Sequence, residues 1–201
     1  MAKKILLMTL FAGLWMQAWC QRKALLGPGQ PIRLLVFHGT TQLEPGLRFG
    51  NQAFHTGAMI GTEWKLNQHP RSNVFVAGNI GGYHHKLLSS GIFLTGELGY
   101  RYRSSIGLFA QVSAGVGYAR VFYPGEVYEF DEGAQRYQKA SNTGHSAMLV
   151  PMSLALGYKM GSYRNAPELL VFYQYAPELP FSLSGLHQFL GLGLSFYPFK
   201  N

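Results

Sequence analysis

The residues of this chain that could do chemistry are few, and most stand at every second position of segments rich in glycine and aromatic residues. Glu63 and Lys65, Glu97 and Arg101, Gln111 and Lys159 fall among glycines, serines and alanines on the polar side of such segments. Acids and bases collected in this way have two uses. They can neutralise one another in a network that fills a narrow interior, since buried charge persists only when paired and hydrogen-bonded. Alternatively, they can line a polar path for ions or small solutes. The histidines raise metal and nucleophile chemistry. His84 and His85 are adjacent, and adjacent residues of a strand point to opposite faces, so one metal ion cannot take both while the strand lasts. His145 and Ser146 pair a base with a hydroxyl, but they also point apart in a strand, and no nearby acid completes a triad. The residues therefore give no catalytic group, no metal site and no cofactor.

A different chemistry is offered by residues 122–137, where the acids Glu126, Glu129, Asp131 and Glu132 are interleaved with Tyr128 and Tyr137. Asp131-Glu132-Gly133 reads as the tip of a hairpin. An exposed aromatic and acidic surface of this kind suits a partner protein, a sugar or a cation, and loops on rigid scaffolds often carry function.

The elements that hold these residues alternate with a period of two. In the 91–103 segment Ile92, Leu94, Leu98, Tyr100 and Tyr102 form one face, with Thr95, Glu97, Arg101 and Arg103 on the other. The 106–123 segment sets Ile106, Leu108, Val112, Val116 and Tyr118 against Gly107, Gln111, Ser113, Gly115 and Gly117. The 145–160 and 186–199 segments repeat the pattern, and 55–66 and 73–84 show it less strongly. Short apolar runs at 32–40 and 169–175 bring the strands to eight. Pro151 removes a ladder donor within its strand, which predicts a bulge or irregular pairing there. The connections alternate between an inner side (67–72, 103–105, 161–167) and an outer side (42–54, 85–90, 124–144, 176–185), the longest falling outside and the tightest inside. That asymmetry fits short periplasmic turns and long external loops. A soluble eight-stranded barrel would bury its apolar residues inward and charge its outer face. Here the charges share a face with glycine and serine, and the opposite face is nearly all Leu, Ile, Val, Met and Tyr. The fold class is thus all-β, a closed antiparallel up-and-down transmembrane β-barrel of about eight strands.

The N-terminus supplies a route to a membrane outside the cytoplasm. Lys3 and Lys4 precede an apolar run from Ile5 to Trp15, and Ala18-Trp19-Cys20 places small residues at −3 and −1 before Gln21. This is the pattern of a signal peptide, and the run is short of the roughly 20 residues that span a bilayer as a helix. Trp19 and Gln17 stand where a lipoprotein carries a small residue and a leucine, which argues against a lipidated Cys20. The expected organisation is a cleaved signal at 1–20, a periplasmic N-terminal segment at 21–31 and the barrel at 32–199. Cleavage removes the only cysteine, so no disulfide or thiolate site remains. The formal charge of +8 invites a nucleic-acid reading. Basic residues scattered singly among glycines and aromatics fit anionic lipid headgroups better, and nucleic acid is excluded as a partner.

The Gly-rich strands Thr95-Gly96-Glu97-Leu98-Gly99-Tyr100 and Ser113-Ala114-Gly115-Val116-Gly117-Tyr118, with the ending Gly191-x-x-Leu194-x-Phe196, Tyr197 and Phe199, resemble the small bacterial outer-membrane β-barrel proteins grouped under an outer-membrane protein β-barrel domain. The resemblance spans about residues 32–199. It implies the bacterial outer membrane as location, its lipids as surroundings, and the barrel-assembly machinery as the partner that reads the C-terminal ending. Barrels that deacylate lipid A or cleave phospholipids place Ser and His beside an acid on the wall, which makes His145 and Ser146 the residues to watch for a lipid-modifying enzyme. A structural or interaction component of the envelope, using the external loop to meet a partner, is the first functional reading. A narrow channel is the second and the enzyme the third.

Overall fold

The computed structural model describes residues 30–42, 55–67, 69–84, 89–122, 124–125, 127–131, 133, 135–141, 143–163, 165–179 and 186–198. The signal at 1–20, most of the 21–31 segment, the 43–54 connection, His85, Glu126, Glu132 and Phe199 lie outside the described residues. The strands are β1 (Ile32–Gln42), β2 (His55–Lys65), β3 (Ser72–His84), β4 (Ser90–Arg103), β5 (Leu108–Phe122), β6 (Val127–Asp131), β7 (Arg136–Ala140), β8 (His145–Leu149), β9 (Met152–Lys159), β10 (Glu168–Leu179) and β11 (Leu186–Phe196).

β1 to β5 pair antiparallel in chain order, β9 pairs with β10 and β10 with β11, and β11 pairs back onto β1, so the sheet closes on itself. β8 and β9 lie end to end as one stave between β5 and β10, which makes eight staves, as the alternation predicts. The break between them falls at Val150-Pro151. No residue is inserted there: Leu149 faces Gly117, Met152 faces Ala114, and the count is equal on both strands. There is thus no bulge, and the irregularity expected at Pro151 is an interruption of the strand at these two residues. The sheet keeps its register because Gly115 N–H still donates to Pro151 O at 2.9 Å and Val150 N–H to Pro177 O at 3.0 Å. Only the donor that proline lacks is lost.

The staves alternate buried and exposed along their length, β4 almost without fault. The exposed set is apolar, with Val36, Ile92, Val116 and Leu156 at 60–67% exposure. The buried set holds Glu63, Glu97, Arg101 and Glu168. Such an inside-out distribution is stable where the surroundings are hydrocarbon. At β10 the structure extends the sequence reading. The 169–175 run is apolar without clear alternation in sequence, yet 168–176 alternates, with Glu168 and Gln174 buried and Leu169 and Val171 exposed, and Glu178 beyond it is also buried. Gln188, on the outer side, is covered by its surroundings and accepts a hydrogen bond from Tyr173 Oη at 3.1 Å.

One end of the barrel has tight connections. Ser104 to Gly107 links β4 to β5, closed by Ser104 N–H to Leu108 O at 2.8 Å, with Gly107 at φ 90°, a value side chains rarely adopt. The other end carries the long excursion between β5 and β8, in which β6 and β7 form their own two-stranded sheet. These are called the turn end and the hairpin end below.

Candidate functional site

The interior is filled at three levels, each built by strands that are distant in sequence. Nearest the turn end, Arg101 is the hub. Its Nη2 donates to Glu63 Oε2 at 2.6 Å and to Gln111 Oε1 at 2.6 Å, Nε donates to Gln111 Oε1 at 3.1 Å, and Nη1 donates to Glu168 Oε2 at 3.2 Å. Arg33 stands 3.6 Å from Glu63, and Arg103 pairs directly with Glu168. The guanidinium of Arg101 is packed over the rings of Phe75, 5.3 Å from its centroid, and Phe109, at 4.8 Å. Those rings fit only because glycine faces them: a Cβ on Gly99 would strike Phe75, and one on Gly157 would strike Phe109. The glycines seat the rings, the rings hold the arginine, and the arginine holds the acids.

Midway, Glu97 receives Ser113 Oγ at 2.7 Å, Gln174 Nε2 at 3.0 Å, Ser153 Oγ at 3.1 Å and Asn79 Nδ2 at 3.2 Å. All are neutral donors, from β3, β5, β9 and β10. Arg33, Arg101 and Arg103 balance Glu63, Glu97 and Glu168 in formal charge, so the interior at these two levels is close to neutral.

Towards the hairpin end the filling becomes aromatic. Phe37 and Phe189 meet at 4.5 Å between ring centroids, and Phe93 stacks on Phe189 at 5.7 Å. Tyr83 and His187 follow, with centroids 5.4 Å apart. His187 Nε2 lies 2.7 Å from Glu178 Oε1, and His145 Nε2 lies 3.6 Å from Glu178 Oε2. Sequence alone gives His145 no acid, and β10 brings one. Ser146 nevertheless stands on the outer face, hydrogen-bonded to Tyr118 Oη at 2.8 Å, so no Ser-His-acid triad is assembled from these two residues. Among the described residues no three His, Cys, Asp or Glu side chains converge to hold a metal ion.

Of the residues singled out in the sequence, Glu63, Arg101 and Gln111 are brought together, and Glu97 occupies a separate cluster. Lys65 and Lys159 stand on inward positions at the turn-end mouth, Lys65 exposed and Lys159 half-buried, and neither makes an ion pair among the described residues. Sequence reasoning put Arg103, Asn79, Ser113, Ser153 and His187 on the polar faces of their strands without assigning them to a network, and missed Arg33, Glu168, Gln174 and Glu178. Glu168 is the first residue of its strand, one residue before the 169–175 run, whereas Arg33 lies within the 32–40 run, which reads as apolar without a face.

At the hairpin end, Tyr128, Phe130 and Tyr137 are exposed at 55%, 50% and 71%. Phe130 and Tyr137 are register partners whose rings meet edge to face at 5.3 Å. Glu129 and Asp131 occupy the register positions opposite Gln138 and Arg136.

No protein-family model matches the chain, and no curated protein matches its sequence. Solved structures share its fold. Neisserial surface protein A (NspA) is similar with a TM-score of 0.51 at 10% identity, covering 84% of this chain and 97% of that one. Ail, the attachment invasion locus protein of Yersinia pestis, is similar with a TM-score of 0.50 at 12% identity, covering 83% and 96%. The outer membrane enzyme PagL, with a TM-score of 0.46 at 9% identity over 83% and 98%, lies below the level at which such a comparison carries an argument. At these identities the comparisons establish architecture alone. The chain has the fold of small bacterial outer-membrane β-barrels.

Proposed function

We propose that this protein is an outer-membrane anchor, a barrel closed along its length by its own side chains, whose work is done at its external end. In this reading the signal at 1–20 is cleaved, the turn end faces the periplasm, and the β6–β7 hairpin stands outside as the surface offered to another envelope component. The observation that carries it is the filled interior: an arginine-carboxylate cluster, a glutamate held by neutral donors and an aromatic stack occupy successive levels. Eight-stranded barrels have interiors just wide enough for side chains, and neither ion pairs nor stacked rings give way to a hydrated ion without being broken. The exposed aromatic group Tyr128, Phe130 and Tyr137 supports the second half of the proposal, because apolar rings held in water fit recognition better than solubility. Glu126, Glu129, Asp131 and Glu132 add an acidic character to the same excursion.

Two measurements test it. In planar bilayers the folded protein is expected to give no channel events above background, and a reproducible unitary conductance would overturn the closed lumen. Deleting residues 127–140 is expected to leave outer-membrane fractionation and heat-modifiable gel migration unchanged while abolishing recovery of an envelope partner in pull-downs. Unchanged recovery from the deleted protein would refute the hairpin's role.

A further inference from the structure

The outer wall near the hairpin end carries a charged residue within its apolar pattern. Along β5 the outward column runs Leu108, Ala110, Val112, Ala114, Val116 and Tyr118 and then reaches Arg120. Its Nε donates to Thr143 O at 2.8 Å and its Nη1 to Ser146 Oγ, which also meets Tyr118 Oη at 2.8 Å. All these partners are neutral, and no acid among the described residues pairs with Arg120. Three of its five N–H groups are left for another acceptor. An arginine with no acid partner among the described residues, standing at the upper edge of a hydrocarbon-facing wall, is placed to take an anion from its surroundings.

The wall beside it is shaped. The cross-strand row through Arg120 reads Val36, Ala58, Gly82, Ile92, Arg120, Ser146. Ala58 and Gly82 make a depression between Val36 and Ile92, part of a groove of about 560 Å³ that is also lined by Thr56, His84, Ser90 and Phe122. Its upper lip is polar, with His84 Nδ1 2.7 Å from Ser90 Oγ. The row below, Leu34, Ile60, Ile80 and Leu94, is apolar. Neighbouring strands are about 4.8 Å apart, so the depression lies roughly 10–14 Å from Arg120, within the width of one lipid headgroup carrying several chains.

We propose that this face binds a phosphorylated lipid of the leaflet at the hairpin end, its phosphate on Arg120 with Ser146 and Tyr118, and one acyl chain laid in the Ala58–Gly82 depression. The fit is chemical: guanidinium takes phosphate in fork geometry, and a hydroxyl pair beside it supplies a further donor. The site rests on the anchor reading, since it exists only if the wall faces lipid.

The test uses the purified full-length barrel in micelles and native mass spectrometry, with diphosphorylated lipid A and the same lipid dephosphorylated as probes. The wild type is expected to retain the phosphorylated lipid about tenfold better, the scale of one charge-assisted contact, and R120Q is expected to lose that preference. A58L, with Arg120 intact, should lower retention of both lipids and keep the preference. R120K keeps charge without the fork and should lose threefold or more; it carries the test if the R120Q barrel does not form. No preference in the wild type, or a preference surviving R120Q and R120K, overturns the site. Absence of heat-modifiable migration in the wild type overturns the anchor reading instead, so the two failures are distinct.

Discussion

Arg101→Gln is the substitution that most directly probes the interior. It removes the ion-paired hydrogen bonds to Glu63 at 2.6 Å and to Glu168 at 3.2 Å, along with the two to Gln111, at a residue that is 2% exposed. Such bonds are worth about 1.5–3 kcal/mol each. Both acids retain a second cation, Glu63 having Arg33 and Glu168 having Arg103. The expected loss is therefore about 3–4 kcal/mol, near the lower end of the cost of deleting one member of a buried pair. Glu63→Gln should be worse, about 4–5 kcal/mol, because it leaves Arg33, Arg101 and Arg103 gathered around the single carboxylate of Glu168. The double variant should fall short of the sum by at least about 1 kcal/mol, as expected of groups in one network. The assay is a denaturant titration of the protein folded into lipid vesicles, with the folded fraction read from unboiled gel mobility. A loss below about 1 kcal/mol for Arg101→Gln, or strict additivity in the cycle, would refute the coupled network and leave packing alone to fill the lumen.

The remaining expectations use the same titration. Gly99→Ala should cost about 1–3 kcal/mol, because the new methyl meets the fully buried Phe75 ring. Gly96→Ala, where a Cβ meets nothing within 4 Å, should stay within about 0.5 kcal/mol; equal effects at the two sites would sink the steric account. Glu97→Gln turns an acceptor-only group into one bearing N–H donors aimed at the donors of Ser113, Ser153, Asn79 and Gln174, and should cost about 1–3 kcal/mol. A neutral result there would mean that the surrounding amides reorient to accept.

The fold was legible because a membrane barrel writes its two environments at every other residue. Ile92, Leu94 and Leu98 against Thr95, Glu97 and Arg101 fix both the strand and its inward face without any tertiary information. β10 was harder: Leu170 and Phe172 are buried while Leu169 and Val171 face outward, so large apolar residues occupy both sides and the period disappears from the sequence. The clusters were legible only as a set of inward charges. Which acid meets which base depends on stagger between staves, and Arg101 and Glu168 are 67 residues apart. For the same reason Glu97, four residues from Arg101 on β4, lies with neutral donors from other strands instead of with the arginine. The acid beside His145 was invisible because it comes from the end of β10, in a stretch that reads as a loop.

The glycine content makes sense in this light. Twenty-five glycines in a chain with 14 phenylalanines suggest flexibility if read as composition, but several of those in the staves face rings. Gly57 faces Phe37, Gly99 faces Phe75, Gly157 faces Phe109 and Gly191 faces Phe172, in each case so closely that a Cβ would collide. A narrow barrel cannot seat large rings beside full-sized neighbours, so small residues on one stave make room for aromatics on the next. Two of those rings then hold Arg101 in place. The order of dependence runs from glycine to ring to arginine to carboxylate, which means that the filling of the interior is built into the wall. Opening a path would require rearranging staves as well as breaking ion pairs. Functional variation in such a molecule is cheapest where this dependence ends, at the β6–β7 hairpin and on the outward face around Arg120, since neither contributes to the filling of the interior.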